Sequence, residues 1–548
     1  MDANVGPTDA LPLSIGRIVE HHAAARPDAV AIVAPGRIPL SFRGLLDQVR
    51  SIGRSLAALG VGPADVVATV LPDGPEMATA FLGIAAHATA APLNPSYREA
   101  ELEFFLGDLR PRAILAHPGA TAAIEVARRR GVRVLELAAP DAAAPAGAFA
   151  LGTERRAQDV GFAAGGDVAL VLHTSGTTSR PKIVPLTHAN LCASARAVSA
   201  SLRLSPDDRC LVVMPLFHVH GLVGALLSSI SAGASVACAP GFQAPRFLEW
   251  ARELRPTWFT AVPSMHQGIL ARAEGWSPSI APLRVIRSCS SPLPPAVMAA
   301  LERTFGVPVV EAYGMTEAAH QIASNPLPPR ERKPASVGLP TGVELAIAGP
   351  DGAFLSPGAR GEVVIRGAQV TQGYRAGDEA NAQAFRDGWF RTGDEGLLDG
   401  DGYLFLTGRL KEIVNRAGEK IAPREIDEAL LAHPAVQQAL AFSMPDPLVG
   451  EEVAAAVVLR AGASATEREL QEALSARLAS FKVPRRIVLV DEIPKGPTGK
   501  PQRIGLAEKL GLGAMPAGSA VPAGSAGSFV SPRTALEQQL AGLFGAVL

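Results

Sequence analysis

The sequence predicts an α/β fold with largely parallel sheets. A large N-terminal domain of αβ subdomains and a β-rich subdomain precedes a small, mobile α+β C-terminal lid domain. The 548 residues are too many for a single hydrophobic core, so more than one domain is expected. Strand-like and amphipathic helical segments alternate through the N-terminal part of the chain. Short β segments with glycine turns replace that alternation between residues 340 and 406.

The N-terminal alternation begins with a helix and continues as strand–helix pairs. The apolar spacing predicts helices at 15–25, 41–59, 76–86 and 101–109, strands at 29–33 and 66–71, and an extended run from residue 91. An Ala- and Pro-rich stretch at 137–165 is interpreted as a surface connection. A buried strand at 167–172 and a helix near 187–201 flank the next loop. The β-rich part contains predicted strands at 344–347, 361–365 and 402–406.

These patterns give predicted domain boundaries. The N-terminal domain spans 1–409 and the lid domain spans 410–512. Residues 513–530 are rich in Gly, Ala, Pro and Ser and are predicted to be a flexible linker. Residues 531–548 have helical spacing, with Ser531 as the N-cap residue. A lone helix cannot bury its apolar stripe, so we expect it to belong to a further structure.

Composition excludes several classes of function. The formal net charge is −1 and there is no basic arm, which argues against a nucleic-acid partner. The four cysteines form no C-x-x-C pair, which favours a reducing, cytoplasmic location over a zinc or disulfide framework. The polar N-terminus has no apolar core typical of a signal peptide. Residues 211–245 are uncharged but contain histidines, serines and prolines. They predict a buried helix and strand and no membrane span.

The first chemically informative loop is Thr174-Ser175-Gly176-Thr177-Thr178-Ser179-Arg180-Pro181-Lys182. It follows a predicted buried strand and precedes a helix. Hydroxyl and backbone N–H groups donate to phosphate oxygens, and a lysine supplies positive charge, so the loop suits a polyphosphate. It does not have the Walker spacing. Taken alone, a solvated Ser/Thr turn remains an equal alternative.

This loop resembles the T-S-G-T-T-G-x-P-K-G signature of the adenylate-forming superfamily, which contains acyl-CoA synthetases, adenylation domains and luciferases. Ser179 and Ile183 depart from it. The resemblance extends from about residue 15 to 510. It implies that ATP and a carboxylic acid form an acyl-adenylate with loss of pyrophosphate, and that a thiol then takes the acyl group. It also implies nucleotide contacts from Thr174, Ser175, Gly176, Thr177, Thr178 and Lys182.

A second motif is Glu311-Ala312-Tyr313-Gly314-Met315-Thr316-Glu317. The resemblance places Tyr313, with Glu311 and Ala312, near adenine. It places Thr316 at the α-phosphate and Glu317 at Mg²⁺, both as catalytic residues. A carboxylate beside a phosphate is repulsive unless a divalent cation bridges them, which agrees with a metal-side role for Glu317.

Further motifs complete the predicted nucleotide site and the lid. Asp394, in Trp389-Phe390-Arg391-Thr392-Gly393-Asp394, resembles the ribose-diol ligand, since two carboxylate oxygens can accept from two hydroxyls. Arg409 resembles a nucleotide contact and Lys411 the hinge of the small domain. The same resemblance assigns three further residues to the nucleotide: Ser290, Ser291 and Pro292.

Two lid segments are implied to serve successive half-reactions. Lys500, at the end of Pro494-Lys495-Gly496-Pro497-Thr498-Gly499-Lys500, resembles the catalytic lysine between the attacking carboxylate and the α-phosphate. A cation there cancels the repulsion of two anions as they meet. Gly418, Glu419 and Lys420 resemble the loop that lines the pantetheine path for the thiol.

The predicted acyl site is polar. By resemblance, it is formed by 217–221, 288–291 and 316–322, which contribute His218, His220, Ser288, Ser290 and His320, with His218 also a candidate catalytic residue. Hydrogen-bond donors here favour a short polar acid, including a dicarboxylate, because a buried second carboxylate needs partners. Each histidine is otherwise a gate or packing residue. Residues 71–76, 91–95, 214–221, 316–320 and 324–328 resemble oxalate–CoA ligases in particular.

The C-terminal segment gives an alternative acceptor. Ser531-Pro532-Arg533-Thr534, followed by Leu536, Glu537 and Leu540, resembles the first helix of a carrier-protein domain. The acceptor is therefore either free CoA or a carrier phosphopantetheine thiol, as in an assembly-line adenylation module, and a native C-terminal helix is the other interpretation. A non-enzymatic nucleotide-binding paralogue is disfavoured because Lys500 and Glu317 are both present.

Overall fold

The computed structural model describes residues 13–137, 143–151, 160–174, 181–375, 377–417, 419–446, 449–494 and 501–512. The chain divides into two compact units, Met1–Lys411 and Glu412–Leu548. The predicted linker and C-terminal helix lie outside the described residues. No helix in the described part of the chain is both long and apolar enough to cross a membrane.

The first part of unit 1 alternates strands and helices, as the apolar spacing predicts. Its elements are α1 (Ile15–Ala25), β1 (Val30–Val33), β2 (Leu40–Ser41), α2 (Phe42–Ala58), β3 (Val66–Val70), α3 (Pro75–Ala85), β4 (Thr89–Pro92), α4 (Glu99–Leu109), β5 (Ala113–Ala116), α5 (Thr121–Arg129), β6 (Arg133–Glu136), β7 (Val168–Thr174), β8 (Lys182–Thr187) and α6 (His188–Leu202). Local capping fixes two of the helix starts. Ser41 accepts from the backbone of Gly44, and Thr187 and Asn190 form a capping box.

One sheet runs in the order β6-β5-β3-β4-β7-β8. Its strands are parallel except at β8, which pairs antiparallel with β7 and brings Lys182 opposite Thr174. The helix predicted near 187–201 is present as α6, and it is preceded by strand β8, which was not predicted and which has Lys182 as its first residue. β7 and β8 therefore form a hairpin, and Thr174 and Lys182 lie at the end where the chain passes from one strand to the other.

The second part of unit 1 supplies most of the next sheet. Its elements are β9 (Arg209–Val212), a π-helix (His220–Leu227), α7 (Ser228–Ser231), β10 (Ser235–Cys238), a 3₁₀ turn (Ala244–Arg246), α8 (Phe247–Leu254), β11 (Trp258–Ala261), α9 (Pro263–Leu270), β12 (Val285–Ser288), α10 (Pro295–Phe305), β13 (Val309–Tyr313), a 3₁₀ turn (Thr316–Ala318), β14 (Ala323–Ser324) and β15 (Leu339–Pro340). The uncharged stretch 211–245 thus contains a buried helix and a buried strand, as predicted.

This sheet runs in the order β15-β14-β13-β12-β11-β9-β10-β1-β2. The strands from β13 to β1 are parallel, and β14, β15 and β2 add antiparallel edges. Apolar side chains bury both faces. Val285 and Val310 lie in one core, and Ile286 and Val309 lie in another. Burial on both faces explains why these strands are apolar runs without polar alternation.

The β-rich part of unit 1 consists of β16 (Glu344–Ala348), β17 (Gly361–Arg366), α11 (Asp378–Ala384), β18 (Phe385–Arg386), β19 (Trp389–Leu398) and β20 (Leu404–Arg409). The strands are antiparallel in the order β16-β17-β19-β18, with β20 also on β19. The register places Asp394 on β19 opposite Arg409 on β20.

Unit 2 is a small α+β domain. It contains β21 (Val414–Arg416), β22 (Glu419–Ile421), α12 (Pro423–Leu431), β23 (Val436–Asp446), β24 (Gly450–Leu459), α13 (Glu467–Ser475), a 3₁₀ turn (Ser480–Lys482), β25 (Arg486–Leu489) and α14 (Leu506–Lys509). Helices α12 and α13 pack on one face of its sheet through Ile426 and Leu470, and α14 packs on the other through Leu506.

Candidate active site

Several motif-bearing segments lie at the carboxyl ends of parallel strands of one sheet. β9 leads to the π-helix, β12 ends at Ser288, and β13 ends at Tyr313. Carboxyl ends of parallel strands meet at one edge of a sheet, where ligands bind in open α/β folds. Motifs far apart in the sequence are therefore brought to one side of unit 1.

Lys182 and Glu317 both contact Tyr374. Nζ of Lys182 lies 4.5 Å from the centroid of the Tyr374 ring, and the Tyr374 hydroxyl donates to Oε1 of Glu317 at 2.9 Å. Burial raises the pKa of the Glu317 carboxyl, and the hydrogen bond from Tyr374 opposes that rise. The structure thus brings the lysine of the first motif close to the glutamate of the second.

Thr371 makes hydrogen bonds to the backbone on both sides of this group. Its backbone N–H donates to the carbonyl oxygen of Glu317 at 2.7 Å, and its hydroxyl donates to the carbonyl oxygen of Pro185 at 2.7 Å. One buried residue therefore connects the Glu317 turn to β8. This fixes the backbone positions from which Glu317 and Lys182 extend.

Asp394 is the centre of a second cluster. The Tyr313 hydroxyl donates to its Oδ2 at 2.5 Å, and Nε of Arg409 lies 3.0 Å from its Oδ1. The Asp394 side chain is 8% exposed, whereas that of Arg409 is 46% exposed. Burial and the Asp394 carboxylate both raise the pKa of the Tyr313 hydroxyl, so this phenol stays protonated and remains a donor.

The turn after Tyr313 requires Gly314. A Cβ at that position would lie 1.4 Å from the carbonyl oxygen of His320. Ala319 and His320 have positive φ angles of 48° and 102°, which are sparsely populated for residues with a side chain. The tight turn holds His320 in a buried position at the site.

His320 stacks on His220. The ring centroids are 4.8 Å apart with an interplanar angle of 20°. Nδ1 of His220 lies 3.0 Å from the Ser290 hydroxyl, and its Nε2 lies 2.6 Å from the Thr260 hydroxyl. A Cβ at Gly224 would approach Nε2 of His320 to 2.4 Å, so the glycine gives the ring its space. Three of the predicted acyl-site residues, His220, Ser290 and His320, therefore form one cluster.

Arg287 lies behind this cluster and is fully buried. Its Nη1 donates to Thr260 Oγ1 at 3.2 Å, and its Nη2 donates to Gln321 Oε1 at 2.6 Å. Burial lowers the pKa of the guanidinium, an effect that the thiol of Cys289 partly opposes. A buried arginine thus supports the polar cluster from within the sheet.

The remaining acyl-site predictions lie in different surroundings. Ser288 is fully buried. Strand alternation places it on the same face of β12 as Ile286, opposite Arg287. The His218 ring packs 4.5 Å from Phe217. The backbone before it is held by Asp73, whose Oδ1 accepts from the Leu216 N–H at 2.7 Å.

Two family profiles match most of this chain. A profile of the AMP-binding enzyme family matches residues 19–375, and a profile of the AMP-binding enzyme C-terminal domain matches 425–500. The chain belongs to the AMP-binding enzyme family. The mixed α/β architecture of this AMP-binding enzyme agrees with that family.

Individual relatives of this AMP-binding enzyme align over nearly the whole of their length. Oxalate–CoA ligase of Arabidopsis thaliana is 43% identical over 89% of this chain and 97% of its own. Sulfoacetate–CoA ligase of Cupriavidus necator is 37% identical over 90% of this chain and 97% of its own. The ATP-bound crystal structure of MatB from Rhodopseudomonas palustris superimposes with a TM-score of 0.81 at 29% identity, over 90% of this chain and 99% of MatB.

Some predicted site residues of the AMP-binding enzyme lie outside the described residues. These are Ser175, Gly176, Thr177, Thr178, Gly418, Lys500 and the side chain of Lys420. The structure describes the other predicted site residues. Thr316 is half-buried at the start of a 3₁₀ turn, Ser291 and Pro292 are exposed, and Glu311 accepts from the Leu293 N–H at 2.9 Å. Ala312 is buried on β13, and Glu419 pairs with Arg416.

Within unit 2, Arg503 anchors the segment that follows Lys500. Its guanidinium lies 2.5 Å from the Asp427 carboxylate and 3.1 Å from that of Glu412. Burial alone would lower the pKa of Arg503, but the two carboxylates raise it above its usual value. The ion pairs fix where this segment leaves the α12 side of the domain.

Sequence reasoning missed Tyr374, Arg287, Thr260 and Asp73. Tyr374 lies in no motif that was recognised, although an aromatic residue between two glycine-rich turns was a weak signal. Arg287 had a stronger signal, because a charged residue inside an apolar strand must be paired or functional. Asp73 lies within 71–76, which carried the resemblance to oxalate–CoA ligases but was given no role.

Proposed function

We propose that this AMP-binding enzyme activates a small polar carboxylic acid, oxalate or a close analogue, as an acyl-adenylate with release of pyrophosphate. It then transfers the acyl group to CoA. The observation that carries the choice of acid is the cluster in front of Arg287, in which His220 and His320 are buried and Ser290 is half-buried. An acyl site built from these groups suits oxygen-rich anions and would leave polar atoms unpaired against an alkyl chain.

The relatives support the same choice. The names of two of them specify oxalate and sulfoacetate, which are both short acids with a second acidic group. We therefore assign the acid to His218, His220, Ser290 and His320, whereas Ser288 lies on the opposite face of β12 from Arg287 and is not assigned to it. The second acidic group faces the His220 cluster, and the reacting carboxylate faces the nucleotide.

For the nucleotide, the chain supplies cations and donors on the phosphate side and an acidic cluster on the ribose side. Lys182, Thr174 and the loop from Ser175 to Thr178 bind the phosphates, and Thr316 donates to the α-phosphate. Asp394, held by Tyr313 and Arg409, accepts from the ribose hydroxyls, while Ser290, Ser291, Pro292, Glu311 and Ala312 complete the nucleotide site.

Glu317 fits a Mg²⁺ site. No cluster of three or more acidic, His or Cys groups suited to an ion occurs among the residues that the structure describes. Mg²⁺ bound with a nucleotide typically uses only one or two carboxylates together with phosphate oxygens. The buried Glu317 carboxylate on the phosphate side meets that need. When bound, the ion would neutralise charge on the pyrophosphate as it leaves.

The lid residues act in sequence. Lys500 cancels the repulsion between the acid and the α-phosphate as they meet. Lys411, at the boundary between the two units, is the hinge, and Gly418, Glu419 and Lys420 then line the path of the thiol. CoA is the acceptor because the matched relatives are named as CoA ligases, and that disfavours a carrier-domain thiol.

ATP–pyrophosphate exchange across a panel of acids tests the proposal. Oxalate, malonate, sulfoacetate, acetate, benzoate and palmitate are compared at equal concentration, and exchange is expected to be fastest with the short acids that carry two acidic groups. Mass spectrometry of the product with CoA then tests for the thioester. Rapid exchange with palmitate and none with oxalate would overturn the assignment of the acid.

A further inference from the structure

Arg287 is a buried cation whose contacts are neutral. Its hydrogen bonds reach the Thr260 hydroxyl and the Gln321 amide oxygen, and its Nη1 lies 3.4 Å from His220 Nε2. Within the described parts of the chain, no carboxylate lies within ion-pair distance of Arg287. A fully buried charge is costly unless it is compensated, so this arginine calls for an explanation.

The contacts around Arg287 have a definite direction. A guanidinium has only donors, so Arg287 must donate to Thr260 Oγ1. The Thr260 hydroxyl has one proton, and Nε2 of His220, at 2.6 Å, is the acceptor that the described residues offer it. Nε2 of His220 is therefore unprotonated. Nη1 of Arg287 lies 3.4 Å from Nε2 of His220 and can only donate, so it also favours an unprotonated Nε2.

The direction continues to Ser290. With Nε2 as an acceptor, the neutral His220 ring has its proton on Nδ1 and donates it to Ser290 Oγ at 3.0 Å. The Ser290 hydroxyl then accepts from His220 and keeps its own proton for another partner. Ser290 is half-buried, and its φ of 75° is in the left-handed region. A strained backbone that holds a donor at a site edge is typical of a ligand contact.

We propose that Arg287 and Thr260 are positioning residues that orient a one-way relay of donors, from Arg287 through Thr260 and His220 to Ser290, toward the distal carboxylate of a dianionic acid. The inference rests on the proposed function and deepens it. The relay makes Ser290 a donor, and the uncompensated charge of Arg287 favours a second negative group over a neutral one.

The alternative is that Arg287 only braces the sheet. Its contact with Gln321 joins β12 to the segment after the His320 turn, and Gln321 also donates to Ser201 at 3.1 Å. A bracing role would affect all acids and ATP equally. A relay would affect only acids that have a second anionic group, so the two roles predict different kinetics.

Two Thr260 variants separate these roles in the full-length enzyme. Thr260→Val keeps the shape of the side chain and removes the hydroxyl, whereas Thr260→Ser keeps the hydroxyl. We expect Thr260→Val to raise KM for oxalate about 10- to 100-fold, the range for hydrogen bonds to a charged group, with KM for ATP and acetate unchanged. Thr260→Ser is expected to restore KM for oxalate.

Thr89→Val is the matched control. Thr89 is also a buried strand threonine, and its hydroxyl donates to the Val168 carbonyl oxygen at 2.8 Å, in the other sheet. We expect this variant to leave KM for oxalate unchanged. Arg287→Met would also disturb packing in the core, so the two Thr260 variants are the ones that decide between the relay and the bracing role. An equal change for oxalate, acetate and ATP in Thr260→Val would overturn the relay.

The tautomer of His220 gives a readout that does not depend on activity. Two-dimensional ¹H–¹⁵N spectra of the protein with ¹⁵N-labelled histidine, assigned with a His220→Gln variant, distinguish a proton on Nδ1 from one on Nε2. The relay requires the Nδ1–H form in the wild type. An Nε2–H form would overturn it whatever acid the enzyme uses. Absence of exchange with any diacid would overturn the proposed function, and the spectra would still decide the relay.

Discussion

The Tyr374 hydroxyl donates a 2.9 Å hydrogen bond to Oε1 of Glu317. The same ring lies 4.5 Å from Nζ of Lys182, so a single aromatic side chain contacts both the proposed phosphate-side cation and the proposed metal-side carboxylate. Burial raises the pKa of Glu317, and the bond from Tyr374 stabilises its ionised form. The Tyr374 hydroxyl therefore favours the ionised form of Glu317 that the proposed Mg²⁺ site requires.

Tyr374→Phe should weaken Mg²⁺ binding. The change removes the donor but keeps the ring, so Glu317 loses a charge-assisted hydrogen bond and its pKa rises further. We expect the Mg²⁺ concentration for half-maximal ATP–pyrophosphate exchange to increase about 10-fold, consistent with the loss of one such bond.

Tyr403→Phe is a matched control, because Lys333 lies 4.5 Å from the Tyr403 ring and the Tyr403 hydroxyl donates to the carbonyl oxygen of Glu331. This variant should show the Mg²⁺ dependence of the wild type. The same Mg²⁺ dependence in Tyr374→Phe would contradict the role assigned to its hydroxyl.

Asp394→Asn should raise KM for ATP and leave KM for the acid unchanged. The amide cannot pair with Arg409 as the carboxylate does, and it accepts more weakly from the ribose hydroxyls. Steady-state exchange should show KM for ATP raised about 10-fold, with KM for the acid unchanged. Asp401→Asn, at a 73% exposed side chain paired with Lys333, should change neither. A rise in KM for the acid alone would argue against a nucleotide role.

Lys500→Ala separates the two half-reactions. Without the cation, formation of the adenylate should slow about 100- to 1,000-fold, as for the loss of one oriented stabiliser of developing charge. Thioester formation from CoA and a synthetic acyl-adenylate should continue. Lys509→Ala, also in unit 2, should leave both rates unchanged. Exchange at the wild-type rate in Lys500→Ala would remove the basis of the proposed chemistry.

His188 should make stability depend on pH. Burial lowers its pKa to about 4 from a usual value near 6.5, although Asp167 raises it. Between these values the unfolded state binds more protons, so stability is complete above pH 6.5 and is lost as pH falls toward 4. The contribution is at most about 1.4 kcal/mol per pH unit.

Urea unfolding of the wild type and His188→Gln at several pH values measures this slope. Glutamine can still accept from the Ile15 N–H, which lies 3.2 Å from His188 Nδ1. The variant should lose stability less steeply below pH 6.5 than the wild type. His21→Gln, at an exposed position, should retain the wild-type slope, and an unchanged slope in His188→Gln would contradict the assignment.

Local pattern was sufficient for much of the fold. The predicted helix at 15–25 coincides with Ile15–Ala25, and the predicted strand at 66–71 differs from Val66–Val70 by one residue. Short elements such as Ala113–Ala116 and Thr121–Arg129 were missed, because four apolar residues or a nine-residue helix give little periodic signal. Strand Lys182–Thr187 was missed because it is defined by its pairing with β7, which the sequence pattern did not predict.

For this protein, the sequence by itself determined the family, the α/β alternation and the residues that carry the motifs, since these depend on local spacing and on residue type. The tertiary structure decided which of them meet. Tyr374 joins Lys182 to Glu317, and Arg287 stands behind His220, only because parallel strands bring their carboxyl ends together and burial removes water that would otherwise satisfy these polar groups. Such contacts join residues far apart in the chain, and no local pattern specifies them.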